Sequence, residues 1–301
     1  MSQIRFFEFD AGDVRLHCAE MGERGRPLIV CLHGFPEYWA AWRDVMGELA
    51  ARYHVVAPDQ RGFNLSSKPD GVEAYRVRNM VADLDRLAAA LSPTRRFVLA
   101  GHDWGASVAY AYAFFRPARL SHLVIANGVH PAAFQRAIFE DDGQRAASQY
   151  INTLRAPGAE ERMAADTYRR TLKMIAGFST TRWMTPAEER AYVAAWSQPG
   201  AMTAMLNWYR ASPIVVPEPG APAPDSPILS LPDEAMRVTM PHLVLWGEAD
   251  EALRPACLDG LARYAETATV RRAADCGHWI LHERPDWVAG AMMAFLSAGA
   301  A

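Results

Sequence analysis

The sequence predicts an α/β fold: a mostly parallel sheet flanked by helices and interrupted by an inserted helical cap. Three observations predict it. Strand-like and helix-like segments alternate from Leu28 to Ala126. The strand-like segments are continuous apolar runs, as strands covered on both faces must be. The alternation stops near His130, gives way to helical stretches, and resumes at His242.

Arg5 to Asp10 and Val14 to Glu20 read as two strands joined by a turn at Gly12-Asp13. Leu28-Ile29-Val30-Cys31-Leu32 is the first fully apolar run and reads as a buried strand. Over 39–51, Trp42, Val45, Met46 and Leu49 recur at helical spacing. His54 to Ala57 is the next strand. Met80 to Leu91 is a helix with Val81, Leu84, Leu87, Ala88 and Leu91 on its apolar face. A strand over Arg96 to Ala100, a helix over Ala106 to Phe115 and a strand over Leu120 to Ala126 follow. Residues 131–212 hold several helical stretches and no convincing buried strand, and Pro213 to Pro232 is a proline-rich return. The strand His242 to Trp246, a short strand Ala268 to Arg272 and a helix over Trp287 to Leu296 complete the pattern. The expected division is therefore a sheet domain of 1–130 and 235–301, with a helical cap at 131–234.

Composition narrows the function classes. The 301 residues are half hydrophobic, enough for a large core that buries roughly three quarters of the unfolded surface. The formal charge is −3 and no run of like charges appears, which argues against nucleic acid and anionic membrane as partners. No apolar run approaches the roughly 20 residues of a bilayer span, and the first ten residues do not resemble a secretory signal. Cys18, Cys31, Cys257 and Cys276 show no metal spacing. A cytoplasmic protein without metal or organic cofactor is the expectation, with a homodimer left open.

The chemistry concentrates in Gly101-His102-Asp103-Trp104-Gly105, between a strand and a helix. This is the sharp turn that exposes a nucleophile above a sheet, with glycines where the chain is crowded. Its centre is a carboxylate, which is already anionic and attacks a saturated carbon without a base. The competing role for Asp103 is to cap the helix that follows. Two further loops weigh against that. In this turn's usual chain order, an acid and then a histidine follow the nucleophile. Asp250, just beyond the strand at 242–246, and His278, in Asp275-Cys276-Gly277-His278-Trp279, suit an orienting acid and a base. His33-Gly34-Phe35-Pro36 follows the buried strand, so the backbone amides of Phe35 and Trp104 are the expected oxyanion donors. One such donor is worth about 2.7–4 kcal/mol. His33 and His102 read as hydrogen-bonding residues of the site floor.

With HGFPE at 33–37, DQRG at 59–62, GHDWG at 101–105 and DCGHW at 275–279, the chain resembles the epoxide hydrolase branch of the α/β-hydrolase superfamily. The resemblance implies the α/β-hydrolase fold and hydrolysis of an epoxide to a vicinal diol through an ester on Asp103. Asn207-Trp208-Tyr209-Arg210 looks like the segment carrying one of the branch's two ring-opening tyrosines, and Tyr150 matches the other. Between Thr153 and Arg155 the chain departs from the branch pattern, which leaves Tyr168 and Tyr192 as alternatives to Tyr150. Phe134, Phe178, Trp183 and Trp208 are the expected apolar walls, so the implied substrate is hydrophobic. The alternatives are a hydrolytic dehalogenase with the same triad, binding halide through Trp104 and a cap tryptophan, and a non-catalytic binding protein of the same fold. The intact triad speaks against the second.

Overall fold

The computed structural model describes residues 3–298. Eight strands form one sheet: β1 (Arg5–Asp10), β2 (Arg15–Met21), β3 (Leu28–Leu32), β4 (His54–Pro58), β5 (Phe97–His102), β6 (Leu120–Ala126), β7 (His242–Gly247) and β8 (Ala268–Ala273). Their order is β1-β2-β4-β3-β5-β6-β7-β8. β1 and β2 pair antiparallel, as do β2 and β4, and every later pairing is parallel.

The apolar strands are explained by their two faces. Leu28, Val30 and Leu32 of β3 point into one core with Leu99, Leu123 and Val244, while Ile29 and Cys31 point into another with Val98, Val124 and Leu243. Burial on both sides removes the need for alternation. The second core is closed by α1 (Arg43–Leu49), through Val45, Met46 and Leu49, and by the C-terminal helix through Val288, Met292 and Leu296. The first is closed by α2 (Val77–Leu91) and α3 (Trp104–Phe115).

Between β6 and β7 lie α4 (Pro131–Glu140), α5 (Asp142–Ala147), α6 (Gln149–Arg155), α7 (Ala159–Gly177), α8 (Pro186–Trp196) and α9 (Ala201–Ala211), with no strand. The proline-rich return forms neither helix nor strand. Side chains supply the hydrogen bonds it lacks. Gln135 bonds both the N–H and the C=O of Val215, each at 2.8 Å, and Gln149 and Asn152 donate to the carbonyls of Pro217 and Val216. After β8 come α10 (Ile280–Glu283) and α11 (Pro285–Ala298). No helix among the described residues is long and apolar enough to cross a membrane.

Three features go beyond the sequence reading. The helix expected over 39–51 is a 3-10 turn, Trp39–Trp42, followed by α1. β5 runs two residues beyond Ala100, through Gly101 and His102, so the sheet carries the chain to the brink of Asp103. Within α7, Asp166, Thr167 and Tyr168 have φ of +50°, +52° and +62°, a left-handed break with no glycine in it. Hydrogen bonds from the Tyr168 hydroxyl to the Trp196 carbonyl and from the Thr171 hydroxyl to the Met163 carbonyl brace it.

Candidate active site

Asp103 stands between β5 and α3 with φ +50° and ψ −120°. The glycines around it are there for space. A Cβ on Gly101 would lie 2.5 Å from the Gly105 carbonyl oxygen, and one on Gly105 would lie 2.2 Å from that of Leu32. A Cβ on Gly34 would lie 2.2 Å from Asp103 Oδ1. The Asp103 side chain does not cap α3. Its Oδ1 instead accepts a 2.7 Å hydrogen bond from the Phe35 backbone N–H. The Trp104 amide opens α3 and so has no acceptor within the helix.

Asp250, beyond the end of β7, and His278, in the loop before α10, meet at 2.7 Å between Oδ2 and Nδ1. His278 Nε2 lies 3.6 Å from Asp103 Oδ2. Asp250 is buried, and its Oδ1 accepts the Ala252 and Leu253 amides at 2.8 and 2.9 Å. Burial alone would raise the pKa of Asp250. His278 and these donors outweigh it and hold the carboxyl below its ordinary value. Burial would likewise lower the pKa of His278, but Asp250 and Asp103 carry it well above 6.5. An aspartate on Nδ1 fixes the tautomer and leaves Nε2 facing Asp103.

The two tyrosines come from the helices between β6 and β7. Tyr209, on α9, has its ring 5.0 Å from that of Trp104, 5.1 Å from Phe35 and 6.3 Å from Tyr150, on α6. Burial, then each other or Asp103, push both phenols well above 10. Tyr168 and Tyr192 are engaged elsewhere, with the Trp196 carbonyl and Glu37. The Phe178 ring lies 6.4 Å from both Tyr150 and His278. Trp208 borders Trp104 at 6.2 Å and donates its indole N–H to the Arg61 carbonyl. Phe134 is buried in the same apolar core as Tyr209. Trp183 is set elsewhere. It stacks on His282 at 3.7 Å and lines a cleft of about 130 Å³ with Tyr38, Arg43 and Tyr192. Among the described residues its aromatic neighbours do not include His278, Tyr150 or Tyr209.

Two groups near the site escaped the sequence reading. Asn127, just past β6, has φ +33°, donates to Asp250 Oδ2 at 2.7 Å and accepts the Gly247 amide at 2.9 Å. The Asn-Gly pair ending β6 was its visible signal. Glu37, the last residue of HGFPE, is 1% exposed and holds His102 at 3.0 Å, His282 at 2.7 Å and the Tyr192 hydroxyl at 3.0 Å. Burial would raise its pKa, yet the two histidines drive it far below the usual carboxylate range. His102 in turn bonds the His278 carbonyl through Nε2 at 2.9 Å, so donors from both sides hold the floor. His33 accepts the Gln60 amide on Nε2 at 3.1 Å, which leaves Nδ1 to donate to the Gly34 carbonyl at 2.9 Å.

Residues 27–285 match the family described as alpha/beta hydrolase fold. Among curated relatives, the AB hydrolase superfamily protein YfhM of Bacillus subtilis is 35% identical over 90% of this chain and 91% of its own length. Epoxide hydrolase A of Mycobacterium tuberculosis is 31% identical over 96% of each. A solved structure described as one of the novel epoxide hydrolases from metagenomes of hot environments superposes with a TM-score of 0.88 at 35% identity, over 98% of this chain and 99% of that one. The epoxide hydrolase of Bacillus megaterium, solved with an inhibitor, gives 0.84 at 28% identity, over 97% of this chain and all (100%) of that one.

Proposed function

The chain belongs to the alpha/beta hydrolase fold family, within its epoxide hydrolase branch, and on that footing we propose that it hydrolyses a hydrophobic epoxide to a vicinal diol. The observation that carries the reading is one constellation: the Asp103 carboxylate with the His278–Asp250 pair 3.6 Å from it and the Tyr150 and Tyr209 phenols near enough for its charge to raise them.

An Asp103 oxygen attacks one ring carbon. The C–O bond breaks, and the epoxide oxygen takes its electron pair and a proton from a tyrosine. Both phenols are held well above 10, so at neutral pH they are loaded acids. The product is a hydroxyalkyl ester of Asp103 and one phenolate. Water then attacks the ester carbonyl carbon while His278 Nε2 removes its proton. The Phe35 and Trp104 amides hold the tetrahedral oxyanion. Collapse releases the diol alkoxide, which takes the proton of the new carboxyl group. The phenolate has by then taken the proton that His278 carried while Asp103 was ionised, so the imidazolium formed from water is the resting form and every group is restored.

Phe35, Phe178, Trp104 and Trp208 wall the reacting groups with aromatic surface, which supports a hydrophobic substrate. The dehalogenase alternative asks for free indole donors at the halide, and the Trp208 N–H is already given to Arg61. Helices α4 to α9 act in this reading as the cap that supplies the acids. The test is a panel of styrene, stilbene and aliphatic epoxides assayed for diol, with haloalkanes assayed in parallel for halide. Diol without halide is expected; halide without diol overturns the proposal.

A further inference from the structure

Arg155 ends α6 half-buried, and no carboxylate lies within ion-pairing distance of it among the described residues. Its neighbour in the fold, Arg210, behaves ordinarily and forks onto Glu160 at 2.6 and 2.9 Å. Arg155 spends its donors on three backbone carbonyls: Tyr209 from Nε at 2.8 Å, Ile214 from Nη1 at 2.9 Å and Ser212 from Nη2 at 3.1 Å.

The sequence explains why those carbonyls need a donor. The Tyr209 carbonyl would serve the N–H four residues on, and that residue is Pro213, which has none. The Tyr209 carbonyl takes only a long 3.3 Å bond from the Ser212 N–H, and at the C-terminal, negative pole of α9 a guanidinium is favoured as the stronger donor. The chain that follows has no ladder of its own. Gln149, Asn152 and Arg155 recur every three residues along α6 and grip it in sequence. The helix whose last residue holds Tyr209's carbonyl also carries Tyr150 near its start.

We propose that Arg155 is a positioning residue for the ring-opening pair: it locks the Tyr209 backbone to the helix bearing Tyr150 and so sets the two phenols against one oxygen. The assignment rests on the epoxide-opening reading above. A charge buried without a counter-ion is costly unless it is fully hydrogen-bonded, and here the fork fits three oxygens that no other side chain serves. A methionine fills similar volume without donating, and a lysine keeps the charge but not the fork.

The experiment compares Arg155→Met, Arg155→Lys and Asn152→Ala in the wild-type and Tyr209→Phe backgrounds, reading single-turnover ring opening, KM and Tm. In the wild-type background, Arg155→Met is expected to slow ring opening at least tenfold with little change in KM, and Arg155→Lys to fall between. In the Tyr209→Phe background the same substitution should add almost nothing, because Arg155 acts through that phenol. Asn152→Ala loosens the same segment farther along; it should lower Tm and leave ring opening within twofold. Equal losses from Arg155→Met in both backgrounds, or full activity in a folded variant, overturn the proposal. If Arg155→Met does not fold, Arg155→Lys alone must show the background dependence. If the unsubstituted protein opens no epoxide in the panel, the functional reading falls, and the ring spacing in a crystal structure of the arginine variant still decides. Tyr150 and Tyr209 rings that stay 6.3 Å apart would refute the positioning role.

Discussion

At the residue scale, the two halves of the proposed reaction make opposite demands on His278, and the charge of Asp103 reconciles them. With Asp103 ionised 3.6 Å away and Asp250 at 2.7 Å, the imidazole holds a proton well above its ordinary pKa despite its burial. Esterification removes the Asp103 charge, and one of the two anions raising that pKa is gone. The imidazole then releases its proton more readily and becomes the base that the second step needs. Asp103→Asn reproduces the loss of charge. The variant should make no diol, and the pKa of its His278, followed by NMR, should fall below the wild-type value. A value unchanged or higher would break the link. Ester hydrolysis should accordingly be lost as pH falls through the lowered His278 pKa. In the proposed reaction the tyrosines supply the first step in duplicate, so removal of either hydroxyl leaves one acid. Tyr150→Phe and Tyr209→Phe should each slow ring opening roughly 10²-fold, the lower end for general acid catalysis, and the double variant by up to about 10⁴. Stopped-flow tryptophan fluorescence reads the step directly, and a double variant as fast as either single one would discard the pair.

At the element scale, the site stands at the ends of four strands consecutive in the sheet, β3, β5, β6 and β7, with His278 brought in from the loop after β8. What made these elements legible is local. A buried parallel strand must be continuously apolar, and the turn after β5 must be glycine-flanked, because Cβ atoms there would overlap backbone. The same crowding separates two substitutions. Gly105→Ala sets a methyl 2.2 Å from the Leu32 carbonyl oxygen, backbone on both sides, and should yield little folded protein. Gly34→Ala sets a methyl 2.2 Å from Asp103 Oδ1 and 2.3 Å from Asp103 Cβ, which the backbone fixes, so the turn carrying the carboxylate must shift and this variant should lose activity. Circular dichroism with a diol assay checks both. An active Gly34→Ala would mean that Asp103 need not sit against Phe35. What was not legible depends on partners far apart in the chain. Asn127 meets Asp250 across 123 positions and Glu37 meets His282 across 245, and no local spacing records either pair. Trp183 was equally opaque. Its aromatic character marked it as a wall, but only the packing of α8 and α10 turns it onto His282. The Tyr150, Tyr168 and Tyr192 ambiguity was of the same kind, since the three differ in what their hydroxyls meet and not in their local sequence.

At the scale of the whole molecule, the seam between the sheet and the inserted helices is built on neutral histidines, and this dictates how the protein responds to acid. His130 stands where the chain leaves for α4, and its Nε2 donates to the carbonyl of Met236, where the chain comes back, at 2.9 Å. His242 opens β7, with the Tyr110 hydroxyl 3.3 Å from its Nε2. The Tyr110 ring lies between them, 5.2 Å from His130 and 5.5 Å from His242, and Tyr264 stacks on His130 at 4.2 Å. Both Nδ1 atoms are buried without a partner among the described residues, so a proton arriving there would find no acceptor. Burial accordingly pushes His130 down to about 4 and His242 down to about 3. The sign follows from linkage. Above pH 6.5 both states leave these rings neutral and stability does not respond to them. Below 6.5 the unfolded chain takes up two protons that the folded chain refuses, so stability falls, by about 1.4 kcal/mol per pH unit for each histidine. The fall continues until the folded pKa values are reached, near 4 and then near 3. Urea unfolding at pH 7, 6 and 5 should therefore show a falling midpoint, and His130→Gln with His242→Gln, neutral at every pH, should flatten it. The double variant is expected to start lower at pH 7, having lost two well-packed rings, and to lose less between pH 6 and 5. If it loses as much as the unsubstituted protein, the acid response lies in the carboxylates, and the seam histidines are packing residues alone.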